Sequence, residues 1–134
     1  MKSEYNEIIV IQGVLKGEIH KIINNLKNEN RSITETPFPL IDIVETKSSI
    51  KLYVEIPGVL LEDVNVYLCG DLLIIEGEKK LEKIPYKVNF IRMERTATHF
   101  RRLIQLPCKI QESNIVAKLK DGILYIEFNK QIGG

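Results

Sequence analysis

The chain has 134 residues, 44% apolar and 28% charged, with a formal net charge of +1. That size fits one globular domain, and Lys and Arg spread along a near-neutral chain exclude the clustered basic face of an electrostatic nucleic-acid binder. No stretch is long enough to span a bilayer, and Cys69 and Cys108 are too few for a disulfide framework, so both read as small apolar residues in a reducing compartment.

Residues 1–30 differ from everything after them. Ile8, Ile11, Leu15, Ile19, Ile22 and Leu26 recur at three- and four-residue spacing, which puts them on one helical face. Ile9, Val10, Val14 and Ile23 widen that face, whereas Gly13 and Gly17 each weaken a helix by about 1 kcal/mol relative to Ala. The asparagines at 24, 25, 28 and 30 end it. Ile8–Ile11 does not read as a signal peptide, because Gln12 and Lys16 interrupt it and no small-residue cleavage site follows. The expected location is therefore the cytoplasm. Ser32–Pro39, with two prolines and no periodicity, reads as a linker. Two uses of the apolar face stand open: a helix packed on its own domain, or a sticky arm that associates with other chains.

From Pro39 onward the period is two. Ile41 and Ile43 alternate with Asp42 and Val44, and Ile50, Leu52, Val54 and Ile56 alternate with Lys51, Tyr53 and Glu55, the pattern of half-buried strands. Pro57-Gly58 stops this run, and Glu62-Asp63 helps shape the turn before the strand of Val64, Val66 and Leu68. Gly70-Asp71 is a two-residue hairpin loop, from which the apolar run Leu72–Ile75 returns. Lys79–Lys87, charged and holding Pro85, reads as a long loop, with Asn89–Met93 as a short strand in or after it. Phe100–Leu106 is a further strand closed by Pro107. Asp121-Gly122 then separates Ile115, Ala117 and Leu119 from Leu124, Ile126 and Phe128, a strong hairpin signal. Short strands at this spacing predict an all-β sandwich. They supply enough apolar residues for a two-sheet core, so the amphipathic arm is surplus to it, which favours intermolecular contact.

The residues of common catalytic sites are missing. The chain has no phosphate-cradling Gly-x-x-x-x-Gly-Lys-Ser/Thr and no Gly-x-Ser-x-Gly nucleophile elbow. His20 and His99 lie in different segments without Cys or His at metal-ligand spacing, and neither cysteine has an activating neighbour. Arg101-Arg102 is too short for a nucleic-acid patch. The reading is no enzyme, no metal and no cofactor.

Four stretches in register carry a resemblance. Pro39–Thr46 resembles the opening Pro-x-x-Asp-Ile-x-Glu strand of the small heat shock proteins, with their α-crystallin domain, and Glu55–Val64 resembles their Leu-Pro-Gly-Val-x-x-Glu-Asp-Ile connection. Glu94-Arg95 with Phe100–Pro107 is similar to their Glu-Arg…Phe-x-Arg-x-Phe-x-Leu-Pro. Ala117–Leu124 is similar to their Ala-x-x-x-Asn-Gly-Val-Leu, with Asp121 for Asn and Ile123 for Val. The resemblance implies an immunoglobulin-like β-sandwich over residues 37–129, with a helical or disordered N-terminal arm over 1–36 and a short tail over 130–134. It implies dimers of the bacterial and plant type, in which a strand in the 78–93 loop reaches the partner's sandwich. Phe90, Ile91 and Met93 would then meet Ile41 and Ile43, with Arg102 charge-paired at the same interface. It also implies ATP-independent holding of non-native client proteins, on an arm whose apolar residues are Ile8, Ile11, Leu15, Ile19, Ile22 and Leu26. The family's usual inter-dimer groove would lie between Val64, Val66 and Leu68 and Ile115, Ala117 and Leu119. Its usual ligand, a C-terminal Ile-x-Ile/Val, is reduced here to Ile132 in Asn129–Gly134. The expected assembly is therefore a dimer or a small or polydisperse oligomer, in which Ile8–Ile11 can dock in the groove instead. The competing reading is a sandwich adaptor or co-chaperone that binds specific folded partners. A peripheral membrane protein is less favoured, because Lys16, Lys21 and Lys27 make no basic face and no stable insertion is expected.

Overall fold

Asp121 and Gly122 take φ values of +52° and +78°, as a two-residue hairpin turn between right-twisted strands requires. The second hairpin turn has φ of +66° at Gly70, the position that Gly alone occupies cheaply in a Gly-x loop. The computed structural model describes Asn6–Glu7 and residues 35–131. Its strands are β1 (Asn6–Glu7), β2 (Leu40–Glu45), β3 (Ser49–Glu55), β4 (Val64–Cys69), β5 (Leu72–Lys79), β6 (Thr98–Gln105), β7 (Val116–Lys120) and β8 (Ile123–Asn129). They form two antiparallel sheets, β1-β7-β8-β3-β2 and β4-β5-β6. Among the described residues the only helical turn is Leu61–Asp63, a 3-10 turn leading into β4.

The core lies between the sheets and follows the period of two. Ile50, Leu52 and Val54 of β3 pair with Phe128, Ile126 and Leu124 of β8, and all six are fully buried. Val64, Val66 and Leu68 of β4, Leu73 and Ile75 of β5, and Phe100 and Ile104 of β6 face them from the other sheet. Gly77 is needed where β5 passes the start of β4: a Cβ there would sit 2.2 Å from the Asp63 carbonyl oxygen and 2.8 Å from the Phe100 ring. The stacking of the two sheets is set at one side by the segment before β2. Phe38 packs edge-on against Phe100, ring centroids 5.5 Å apart, and Arg102 Nη1 donates to the Pro39 carbonyl at 2.7 Å. The edge at β6 thus lies beside β2, which leaves β4 on the side of β7 and β1.

Three local expectations need correction. Asn89–Met93 forms no strand within the single chain: residues 80–97 belong to neither sheet, and a strand needs a neighbour's ladder, which the described residues do not offer there. β5 runs on through Lys79, beyond the apolar Leu72–Ile75, because β6 pairs it as far as Thr98. The N-terminal arm contributes β1, whose Asn6 and Glu7 stand opposite Leu119 and Lys118 of β7. The expected helical face from Ile8 to Leu26, His20, and Ile132 in the tail lie outside the described residues.

Candidate interaction surfaces

The loop joining β5 to β6 carries the most exposed apolar side chains. Ile84, Tyr86, Val88, Phe90, Ile91 and Met93 all face solvent, and Ile91 is fully exposed. Glu82 and Arg95 close the base of the loop with a 2.9 Å ion pair. Hydrogen bonding from Arg95 holds the Glu82 carboxyl below its ordinary range. The alternation Ile84, Tyr86, Val88, Phe90 has the period of a strand, although the loop belongs to neither sheet. At the end of the larger sheet, β2 pairs with β3 on one side only, and its outer edge has no strand among the described residues. Ile41 packs against the core from this strand, whereas Ile43 is exposed.

Arg102 shares the parity of the buried Phe100 and Ile104 on β6, an end strand of the smaller sheet. Its charge is met within the chain: Nε lies 3.1 Å from Glu35 Oε1. The same carboxylate oxygen accepts from the Leu103 amide at 2.7 Å, and the Thr36 amide donates to the Arg101 carbonyl at 3.0 Å. Glu35 and Thr36 therefore bond along β6 as a short substitute for a neighbouring strand. Glu35 escaped the sequence reading, because a carboxylate 67 residues from its arginine leaves no local signal.

Val64, Val66, Leu68 and Ala117 are buried in the core, with Ile115 and Leu119 partly buried against it. All six thus belong to the same core or pack against it. The outer edge of β7 carries Asn6 and Glu7, which directly precede Ile8.

On the outer face of the smaller sheet a cleft of about 500 Å³ is lined by Glu62, Asp63, Glu76, Glu78, His99 and Arg101, among others. Its charges are largely spent on each other. Arg101 lies 2.9 Å from Glu76, His99 lies 3.3 Å from Glu78, and Lys80 lies 2.9 Å from Asp63. The hydrogen bond that Lys80 donates to Asp63 is the main cause that raises its ammonium above the ordinary range. Among the described residues no group of His, Cys, Asp and Glu is placed to hold a metal ion, and no helix is long and apolar enough to cross a membrane. Cys108 is a half-buried free thiol beside the core.

The described residues thus form a two-sheet sandwich with an unpaired outer edge at β2 and a long loop of exposed apolar side chains. Residues 42–133 match the Hsp20/alpha crystallin family. Small heat shock protein C4 of Rickettsia felis is 31% identical over 120 residues, covering 84% of this chain and 74% of that protein. Small heat shock protein C2 of the same organism is 34% identical, covering 72% of this chain and 62% of that one. Among solved structures, heat shock protein 16.0 from Schizosaccharomyces pombe superposes with a TM-score of 0.63 at 33% identity, covering 72% of this chain and 93% of that one. A small heat-shock protein from Xylella fastidiosa, with a distinct high order structure, gives 0.61 at 31% identity, covering 72% of this chain and 88% of that one. The chain belongs to the Hsp20/alpha crystallin family, the small heat shock proteins. Members of this family are stress-response chaperones that work without ATP and are not enzymes, and they form oligomers.

Proposed function

We propose that this protein is a cytoplasmic holdase that binds unfolding proteins through apolar surface and so suppresses their aggregation. The observation that supports the reading is that, among the described residues, β3–β8 enclose a two-sheet core of their own, while the sequence carries the stripe Ile8, Ile11, Leu15, Ile19, Ile22 and Leu26 in addition to those strands. An apolar face that its own core does not need is available to chains with exposed apolar surface of their own. Such binding works by mass action: a captured chain is removed from the pool that aggregates, and no nucleotide is consumed.

The working unit is a dimer made by strand exchange. Asn89–Met93 adds to the outer edge of the partner's β2 near Ile41 and Ile43, giving backbone partners to both and burying Phe90, Ile91 and Met93. Arg102, held by Glu35, stiffens the edge beside that interface. Larger assemblies are small or polydisperse. The groove beside Val64, Val66, Leu68, Ile115, Ala117 and Leu119 is served from the N-terminal arm, a reading supported by Asn6 and Glu7 lying on β7.

The test is suppression of light scattering by an unrelated protein heated with the full chain, without nucleotide. Suppression at near-equimolar chain supports the holdase. No suppression, with stable capture of one folded partner, supports the adaptor reading instead.

A further inference from the structure

The smaller sheet is apolar on both faces at one end. Leu73 and Ile75 of β5 point into the core, so Ile74 between them points outward. Register places Ile74 between Tyr67 of β4 and Leu103 of β6, an apolar row across the outer face. Ile74 is nevertheless 0% exposed and Tyr67 only 4%. Side chains on a sheet stand roughly perpendicular to it, so row neighbours flank a residue without capping it. The larger sheet gives an internal comparison: Tyr53, on the outer face of its inner strand β3, is 40% exposed, and its cross-strand neighbour Tyr125 is half-buried. Something covers the outer row of the smaller sheet.

The path of the chain identifies the cover. Asn6 and Glu7 lie on β7, on the side of the sandwich occupied by β4. The chain is next described at Glu35, bonded to the Leu103 amide on the far edge of the same sheet. Residues 8–34 must join these two sides. From β4 to β6 is about 10 Å, and the sheets stand about 10 Å apart. An extended segment of that length reaches on the order of 90 Å, so crossing the face leaves ample slack. The other candidates fall short. The tail after Gln131, whose amide is held by Lys109, reaches only about 10 Å from the opposite sheet. The β5–β6 loop keeps its apolar side chains in solvent. Only residues 8–34 bring an aliphatic stripe.

We propose that the row Tyr67–Ile74–Leu103, on the outer face of the smaller sheet, is the seat of this chain's own residues 8–34, whose Ile and Leu stripe covers it. The run Leu72–Ile75, with no polar residue between its ends, is the sequence mark of a strand buried on both faces. A stripe seated there cannot touch a client at the same moment, so the two uses of the arm exclude each other within one chain.

The test uses the full chain with Leu103→p-benzoylphenylalanine, refolded from an equal mixture of unlabelled and nitrogen-15-labelled protein. After irradiation, peptide mass spectrometry should find position 103 joined to residues 8–34, in all-light and all-heavy pairs. Mixed light–heavy pairs would mean that a second copy covers the row, and would overturn the proposal. So would cross-links confined to residues 80–97, or none. Leu72→p-benzoylphenylalanine, at the half-buried end of the same face, repeats the test should position 103 disturb folding. Hydrogen exchange adds a readout on L103K: amides within 8–34 should exchange at least tenfold faster than in wild type, with β3 and β8 unchanged. Equal exchange in both proteins contradicts the seat. Cross-linking reads position and aggregation suppression reads activity, so this inference and the holdase reading can fail separately.

Discussion

Ile91→Pro tests the exchanged strand most directly. Ile91 is fully exposed in the single chain and belongs to neither sheet, so the substitution costs the sandwich itself almost nothing. Its effect appears only if residues 89–93 pair with another chain. Proline removes one backbone donor from such a ladder, a loss of about 1 kcal/mol. Burying an isoleucine side chain is worth about 1.5–3 kcal/mol, of which proline recovers only part. Each exchanged strand should therefore lose roughly 2 kcal/mol, and a symmetric dimer with two strands about twice that. At about 1.4 kcal/mol per decade, the dimer Kd should rise on the order of a thousandfold. Ile91→Val keeps the donor and removes one methylene per strand, about 0.8 kcal/mol, so its Kd should rise only about tenfold. Sedimentation equilibrium or dilution-series native mass spectrometry reads both constants, and circular dichroism melting of the monomer is the control. A proline variant that dimerises like wild type, with an unchanged monomer melt, refutes the strand exchange.

Deleting residues 1–34 should leave a β-rich chain with most of its melting cooperativity and greatly reduced aggregation suppression; undiminished suppression removes the arm from client capture. Phe128→Ala empties a fully buried site on β8 and should cost about 3–5 kcal/mol in denaturant unfolding. Gly77→Ala forces a Cβ against the Asp63 carbonyl and should cost about 1–3 kcal/mol although it adds only a methyl group; an unchanged midpoint would mean that β4 yields freely. Burial first, and then the Glu127 carboxylate that accepts its proton at 2.5 Å, raise the Tyr125 phenol above its ordinary range. The fold holds that proton more tightly than the unfolded chain does, so this contribution is intact below pH of about 10 and is lost as pH rises beyond it. Tyr125→Phe should flatten that alkaline slope; an unchanged slope assigns it to other groups.

The sandwich and its hairpins were legible in the sequence because their causes are local. A turn with positive φ at Asp121-Gly122 depends on two residues, and the alternation of Ile50, Leu52 and Val54 depends on the pleat of one strand. Family membership was legible for the same reason, since short stretches in order carry it. Where the strands end was less so: the apolar run of β5 stops at Ile75, and the strand reaches Lys79 because β6 pairs it that far. Asn89–Met93 shows the converse, since within the single chain its strand-like alternation has no ladder to join.

The sequence by itself determined where most strands lie, their inward faces and the apolar periodicity of residues 8–26, all properties of a few neighbouring positions. Only the tertiary structure decided which outward faces and edges are free. Glu35 meets Arg102 and Leu103 because the segment before β2 is laid along β6, and Ile74 is buried on a face that parity alone assigns to solvent. Contacts between residues far apart in sequence follow from how the sheets stack, and no local pattern encodes that stacking.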